Sequence, residues 1–296
     1  MSGAGPSGGA GVPPRLDRNA RLLGLPALER LARARVVVLG LGGVGSYAAE
    51  ALARAGVGAL TLVDGERIDE TNVNRQLHAL DGELGRFKAE AMAERLRRIA
   101  PQAAIQPVCG RYDEASAAAL VPAAGVDFVV DAMDTVVAKL HVIDRCLTLR
   151  IPLVTALGAA RRLDPTAIQV SDLSETHTDQ LAKDVRKYLR KRFGLASTDG
   201  PTGVLAVWSR EAPRPTLDLP GDESGIPGTR ARMEGPRRRE ARCYGSIAFV
   251  TAAFGLVAAG AVVQRLTGLT PATPPLQDEA EAQRRRKRAT HRRPGV

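Results

Sequence analysis

Cysteine is scarce in this chain of 296 residues: Cys109, Cys146 and Cys243 stand far apart, and none belongs to a C-x-x-C pair. That scarcity excludes a disulfide framework and a zinc knuckle, and it fits a reducing cytoplasm. The first 14 residues (MSGAGPSGGAGVPP) lack the apolar core of a secretory signal and are expected to form a disordered lead-in. No internal repeat is visible. Acidic residues are also in deficit, with 32 Asp and Glu against 42 Lys and Arg, and the resulting formal charge of +10 suits an anionic partner. Part of the excess lies in 284–293 (RRRKRATHRR), inside a tail over 271–296 that has no apolar periodicity. That tail is expected to be disordered, with nucleic-acid contact as the alternative. Charge is missing altogether from 245–263 (GSIAFVTAAFGLVAAGAVV), which approaches the length of a membrane span. Its many Ala and Gly residues favour a buried helix packed closely through small side chains, in the core or at a subunit interface. Peripheral membrane contact is the alternative.

What is present is an alternation of periods. Residues 18–34 read as a helix, 35–40 (RVVVLG) as a buried strand, 42–55 as a helix and 59–64 (ALTLVD) as a second strand, which is a βαβ unit. A helix over 87–99, strands near 105–108 and 127–131, a helix over 136–149 and a strand over 152–155 continue the rhythm. The fold class that follows is α/β, a Rossmann-like doubly wound and mostly parallel sheet. Beyond residue 158 strands at 168–173 and 204–208 flank a basic helix at 179–193, giving a mixed second half. The Pro-, Gly- and charge-rich stretch 212–239 reads as a surface loop. The domain expected to carry the chemistry therefore runs over 15–270.

Gly40, Gly42 and Gly45 form G-x-G-x-x-G between a strand and a helix, with Gly43 as an extra glycine. Backbone N–H groups and the helix N-terminus can then approach a phosphate, and Asp64, closing the second strand, can accept from a ribose hydroxyl. This pattern alone does not distinguish a nicotinamide dinucleotide from ATP. The following residues do: Asp69-x-Thr71-Asn72-Val73-Asn74-Arg75-Gln76, then Gly85-x-x-Lys88, then Asp134 in D-A-M-D.

In that order these motifs resemble the E1-like adenylating superfamily, which includes ubiquitin-activating enzymes and the thiamine and molybdopterin carrier adenylyltransferases. The resemblance implies ATP and Mg²⁺ as cofactors and a carboxylate that attacks the α-phosphate. Arg75 and Lys88 would neutralise charge gathering on phosphate oxygens, Asp134 would hold Mg²⁺, and Asn72 and Gln76 would position ribose or phosphate. Arg15-Leu16-Asp17-Arg18 resembles an R-x-x-R that sends an arginine finger to the partner subunit's ATP. Arg18 matches that finger, with Arg21 as the second choice, and this implies a homodimer. Further residues bring the chain nearest to the tRNA threonylcarbamoyladenosine dehydratases, among them Asn74-Arg75-Gln76-Leu77-His78-Ala79-Leu80, Asp164-Pro165-Thr166 and Thr251-Ala252-Ala253-Phe254-Gly255. The expected reaction is adenylation and cyclisation of the threonylcarbamoyl side chain on adenosine 37 of tRNA. A sulfur-relay protein is implied as a further partner, and activation of a ubiquitin-like carrier's C-terminus is the alternative activity. Ala206 departs from the pattern by replacing a cysteine. Cys243 occupies the later cysteine position, as an acyl-accepting nucleophile or as a small packed thiol. His78 and His141 are read as structural.

Overall fold

In the computed structural model the described residues are 12–193, 201–215, 217 and 245–270. Between them runs a seven-stranded sheet made of β1 (Arg35–Leu39), β2 (Ala59–Val63), β3 (Ala104–Val108), β4 (Phe128–Asp131), β5 (Leu153–Ala156), β6 (Ile168–Asp172) and β7 (Leu205–Ser209). Their spatial order is β3-β2-β1-β4-β5-β7-β6, and every pair is parallel except β6 with β7. The expected doubly wound, mostly parallel sheet with a mixed second half is therefore what forms.

The helices are α1 (Asp17–Leu23), α2 (Leu25–Arg33), α3 (Gly45–Ala55), α4 (Lys88–Ile99), α5 (Ala117–Leu120), α6 (Val136–Leu149), α7 (Gln180–Phe193) and α8 (Ala248–Thr267). Two cores lie on opposite faces of the sheet. On one, α2, α3, α4 and α8 bury Leu31, Leu52, Met92 and Phe254 against Val36, Val38 and Leu60. On the other, α6 and α7 bury Ile143, Val185 and Leu189 against Val37, Val129 and Leu153. Sheet strands covered on both faces need apolar residues at consecutive positions, which explains runs such as VVVL.

One sequence expectation is corrected: the helix read over 18–34 is two helices. Gly24 between them has φ +82° and ψ 158°, which a helix cannot contain, and Pro26 in the first turn of α2 brings no N–H to continue the ladder. The uncharged stretch expected to be a buried helix is α8, and it is long and apolar enough by composition to cross a membrane. Its Val250, Phe254, Ala258 and Val262 are fully buried in the same core as β1 and α3, and that burial accounts for its composition. A Cβ at Gly255 would overlap the Val44 carbonyl oxygen, so α8 meets α3 through small residues as expected. The segments 1–11, 218–244 and 271–296 lie outside the described residues, and with them most of the expected lead-in, loop and basic tail, together with Cys243.

Candidate active site

Leu39 is in register with Val63 of β2 and with Asp131 of β4. The residues that leave these strands, Gly40, Asp64 and the turn carrying Asp134, therefore emerge side by side at the carboxyl edge of the sheet. The strand order also reverses between β1 and β4, the place where an open α/β sheet leaves a crevice for a ligand.

Gly40 has φ +83°, and a Cβ there would press to 2.8 Å from the Ala132 carbonyl oxygen. A Cβ on Gly45 would overlap the Gly40 carbonyl oxygen, so both glycines are required for the chain to turn tightly into α3. Gly43 is hemmed in differently: its Cβ would meet Thr251 Oγ1 of α8 at 2.9 Å and Arg75 Cγ at 3.2 Å. Gly42 meets only Gln76 Nε2, at 3.9 Å, among the described residues. Packing within the chain does not demand a glycine there, whereas a ligand brought against the backbone would.

Asp64 accepts Leu41 N–H at 2.7 Å and Glu66 N–H at 2.8 Å, one on each carboxylate oxygen, which ties the glycine loop to the end of β2. Each oxygen keeps a lone pair for a ribose hydroxyl. Burial raises the Asp64 carboxyl above the usual range, against the pull of those two N–H groups and of Lys88. Lys88, the first residue of α4, is buried and paired with Glu66 at 2.7 Å. Glu66 belongs to no motif, so sequence reasoning passed over it. Arg75 lies along the glycine loop, and its guanidinium donates to Thr71 O at 2.8 Å and Asn74 Oδ1 at 2.9 Å.

Asn72 has a job within the chain. Its side-chain oxygen accepts Asp69 N–H at 3.1 Å while Asp69 accepts Thr71 N–H at 3.0 Å, a reciprocal cap on the turn that presents Arg75. Leu77 N–H donates to Ser46 Oγ of α3 at 3.3 Å, holding that segment over the glycine loop. Within it, Gln76 Oε1 and both ring nitrogens of His78 are buried with no hydrogen-bond partner among the described residues. Burial, and then the charge of Lys88, lower the His78 imidazole to about 4, so it is neutral at neutral pH. His141, by contrast, has its Nδ1 paired with Tyr112 Oη at 3.1 Å.

Asp134 is exposed at the end of β4 beside Thr135. The turn that carries it rests on a buried ion pair that the sequence did not announce. Asp131 accepts Lys139 Nζ and Thr155 Oγ1, each at 2.7 Å, and Met133 N–H at 3.1 Å, while Lys139 also donates to Ala156 O at 2.9 Å. The signal available was a lysine set among apolar residues at the start of α6 (VVAKL), eight residues after an aspartate in a buried strand.

Gly40, Gly42, Gly43, Gly45, Asp64, Asn72, Arg75, Gln76, Lys88 and Asp134 thus gather at one edge, and Arg18 does not. Asn19 donates to Arg54 O and Arg15 to Ile99 O, both at 2.8 Å, which fastens the N-terminal segment to the C-terminal ends of α3 and α4. The 11 residues of α3 put about 16 Å between those ends and the glycine loop. Of the described cysteines, Cys146 is pushed up to about 12 by burial and Cys109 is also raised, so neither is an activated thiolate. Ala206 is fully buried in β7, opposite Thr155 and Ser171, where it fills the sheet.

An open glycine cradle, the buried Lys88 with the half-buried Arg75, and unpartnered amide and imidazole atoms fit a bound nucleotide triphosphate. Comparisons with known proteins agree with that geometry. The ThiF family model matches residues 16–294. The tRNA threonylcarbamoyladenosine dehydratase of Escherichia coli (strain K12) is 41% identical over 85% of this chain and 93% of its own length. That of Bacillus subtilis (strain 168) is 40% identical over 85% and 94%. The crystal structure of the Escherichia coli dehydratase, TcdA, in complex with ATP superposes with a TM-score of 0.73 at 39% identity, covering 86% of this chain and 94% of that one. Similarity at this level across both halves means that the chain belongs to the ThiF family, among the tRNA threonylcarbamoyladenosine dehydratases.

Proposed function

We propose that the protein is an ATP-dependent tRNA threonylcarbamoyladenosine dehydratase, working on tRNA in the cytoplasm as a homodimer. The observation that carries the reading is the likeness to dehydratases through the second half of the chain as well as the ATP motifs. In the reaction, the carboxylate of the N6-threonylcarbamoyl group on adenosine 37 attacks the α-phosphate of ATP and pyrophosphate leaves. A nitrogen or oxygen of the same side chain then displaces AMP, and the nucleoside has lost one water.

Arg75 and Lys88 neutralise charge on the phosphate oxygens, and Lys88 exchanges its Glu66 partner for phosphate. The glycine loop and the N-terminus of α3 receive phosphate through backbone N–H groups. Asp134 would hold Mg²⁺. Among the described residues no cluster of three or more His, Cys, Asp and Glu could cage a metal, and Mg²⁺ is commonly held by one or two carboxylates together with substrate phosphates. Arg18, at the far end of α3 from its own site, suits an arginine supplied to the partner subunit.

The test is AMP formation by purified protein with ATP, Mg²⁺ and either threonylcarbamoyl-modified tRNA or candidate carrier proteins, followed by mass analysis of the nucleoside. AMP should form only with modified tRNA, with loss of one water from the hypermodified adenosine. AMP release driven by a carrier, with the nucleoside unchanged, would leave an adenylating enzyme but sink the dehydratase.

A further inference from the structure

We propose that the outward face of α7 is the surface on which the phosphate backbone of tRNA docks, an inference that rests on the dehydratase reading. α7 buries Ala182, Val185 and Leu189 against the sheet side of its core. On the opposite side, Lys183, Lys187, Arg190 and Lys191 are all exposed. Their i, i+4, i+7, i+8 spacing makes one stripe about 12 Å long.

Folding accounts for only part of that stripe: Arg190 and Lys191 lie in the last turn, where cations complement the helix dipole, but Lys183 and Lys187 do not. Lys183 with Lys187, and Lys187 with Lys191, are like-charge pairs at i, i+4, which destabilise a helix. Several helical arginines elsewhere are answered by acids, Arg21 by Asp17 and Arg54 and Arg95 by Glu50, while Arg30, Arg97 and Arg145 donate to carbonyl oxygens. The four cations of the stripe have no acidic partner among the described residues, and the one acid of α7, Asp184, accepts from Gln180 at 3.0 Å. A polyanion would supply the missing charge. Tyr188, half-exposed on the same helix, offers an apolar ring for an unstacked base.

The placement also suits the reaction. Asp179, just before α7, accepts Gly158 N–H at 3.0 Å and pairs with Arg162 at 3.0 Å. Gly158 follows β5, so α7 starts at the same sheet edge as Asp134 and the glycine loop. RNA lying on the stripe leads its modified adenosine toward the ATP site.

The experiment compares the unaltered full chain with Lys187→Gln/Lys191→Gln and with the charge-conserving Lys187→Arg/Lys191→Arg, using modified tRNA, ATP and Mg²⁺. For the glutamine variant, KM for tRNA should rise about tenfold at near-physiological salt while kcat and KM for ATP hold. The slope of log affinity against log salt should shrink by about 2, roughly one for each phosphate that is no longer neutralised. The arginine variant should behave as the unaltered protein, and Lys183→Gln should give a smaller shift of the same kind. A glutamine variant with unaltered melting temperature, tRNA KM and salt slope would overturn the assignment and leave the stripe as a solubilising face or a site for an acidic protein. If the unaltered chain makes no AMP with modified tRNA, the dehydratase reading falls and takes this one with it. If it does and the variants match it, only the docking surface falls.

Discussion

Lys139→Met exchanges a fully buried ammonium for an apolar chain of similar length, and the structure sets the scale of the consequence. Both Lys139 and Asp131 have no solvent exposure, and the ammonium is held by Asp131 at 2.7 Å, Ala156 O at 2.9 Å and Thr155 Oγ1 at 3.0 Å. Removing it strands a buried carboxylate whose other donors are only a hydroxyl and one N–H. Breaking a buried pair in this way costs about 3–5 kcal/mol, a large share of the roughly 5–15 kcal/mol that stabilises a typical domain. The double variant Asp131→Asn/Lys139→Met removes both charges, and it should lie within about 2 kcal/mol of the unaltered protein because neutral replacements of buried pairs are well tolerated. Urea unfolding can be followed by the emission of Trp208, the chain's one tryptophan, which is buried in β7. Turnover should fall in the single variant as well, since Asp131 shapes the turn that carries Asp134. A loss below about 1 kcal/mol for Lys139→Met, or a double variant no better than the single, would refute the reasoning.

Lys88→Ala and Asp134→Ala should each lower turnover by at least ~10², a loss typical of a removed transition-state charge stabiliser, in variants whose circular dichroism is unchanged. Near-normal activity in either would remove it from the site. Mixing Arg18→Ala subunits with Lys88→Ala subunits should restore activity in the mixed dimer, because one composite site is then whole; absence of complementation in a confirmed heterodimer would exclude Arg18 from acting across the interface. His78 should make stability depend on pH. Its folded value of about 4 lies below the unfolded 6.5, so the unfolded chain takes up the proton first, and stability is full above about pH 6.5 and declines toward pH 4 by up to about 3 kcal/mol. His78→Leu should flatten that part of the profile in thermal melts, and an unaltered profile would show that His78 is not the group responsible.

Local sequence was enough for the elements that position the site. The β-branched run 35–39, the glycine turn and the second strand ending at Asp64 are encoded within thirty residues. Backbone preference and side-chain period act at that range, and the ordered motif from Asp69 to Lys88 could be matched to a chemistry before any coordinate was known. The split of 18–34 was missed, although Gly24 and Pro26 carried its signal. Tertiary structure alone decided what lies far apart in sequence. β7 enters the sheet between β5 and β6, Thr251 and Gly255 of α8 brace the glycine loop and α3, and Lys139 folds back onto Asp131 and Thr155. It also put Arg18 at the far end of α3, away from the glycine loop of its own chain. Such contacts carry no periodic signature, because they arise when whole elements bury their apolar faces against one another, and that packing sets which polar side chains meet.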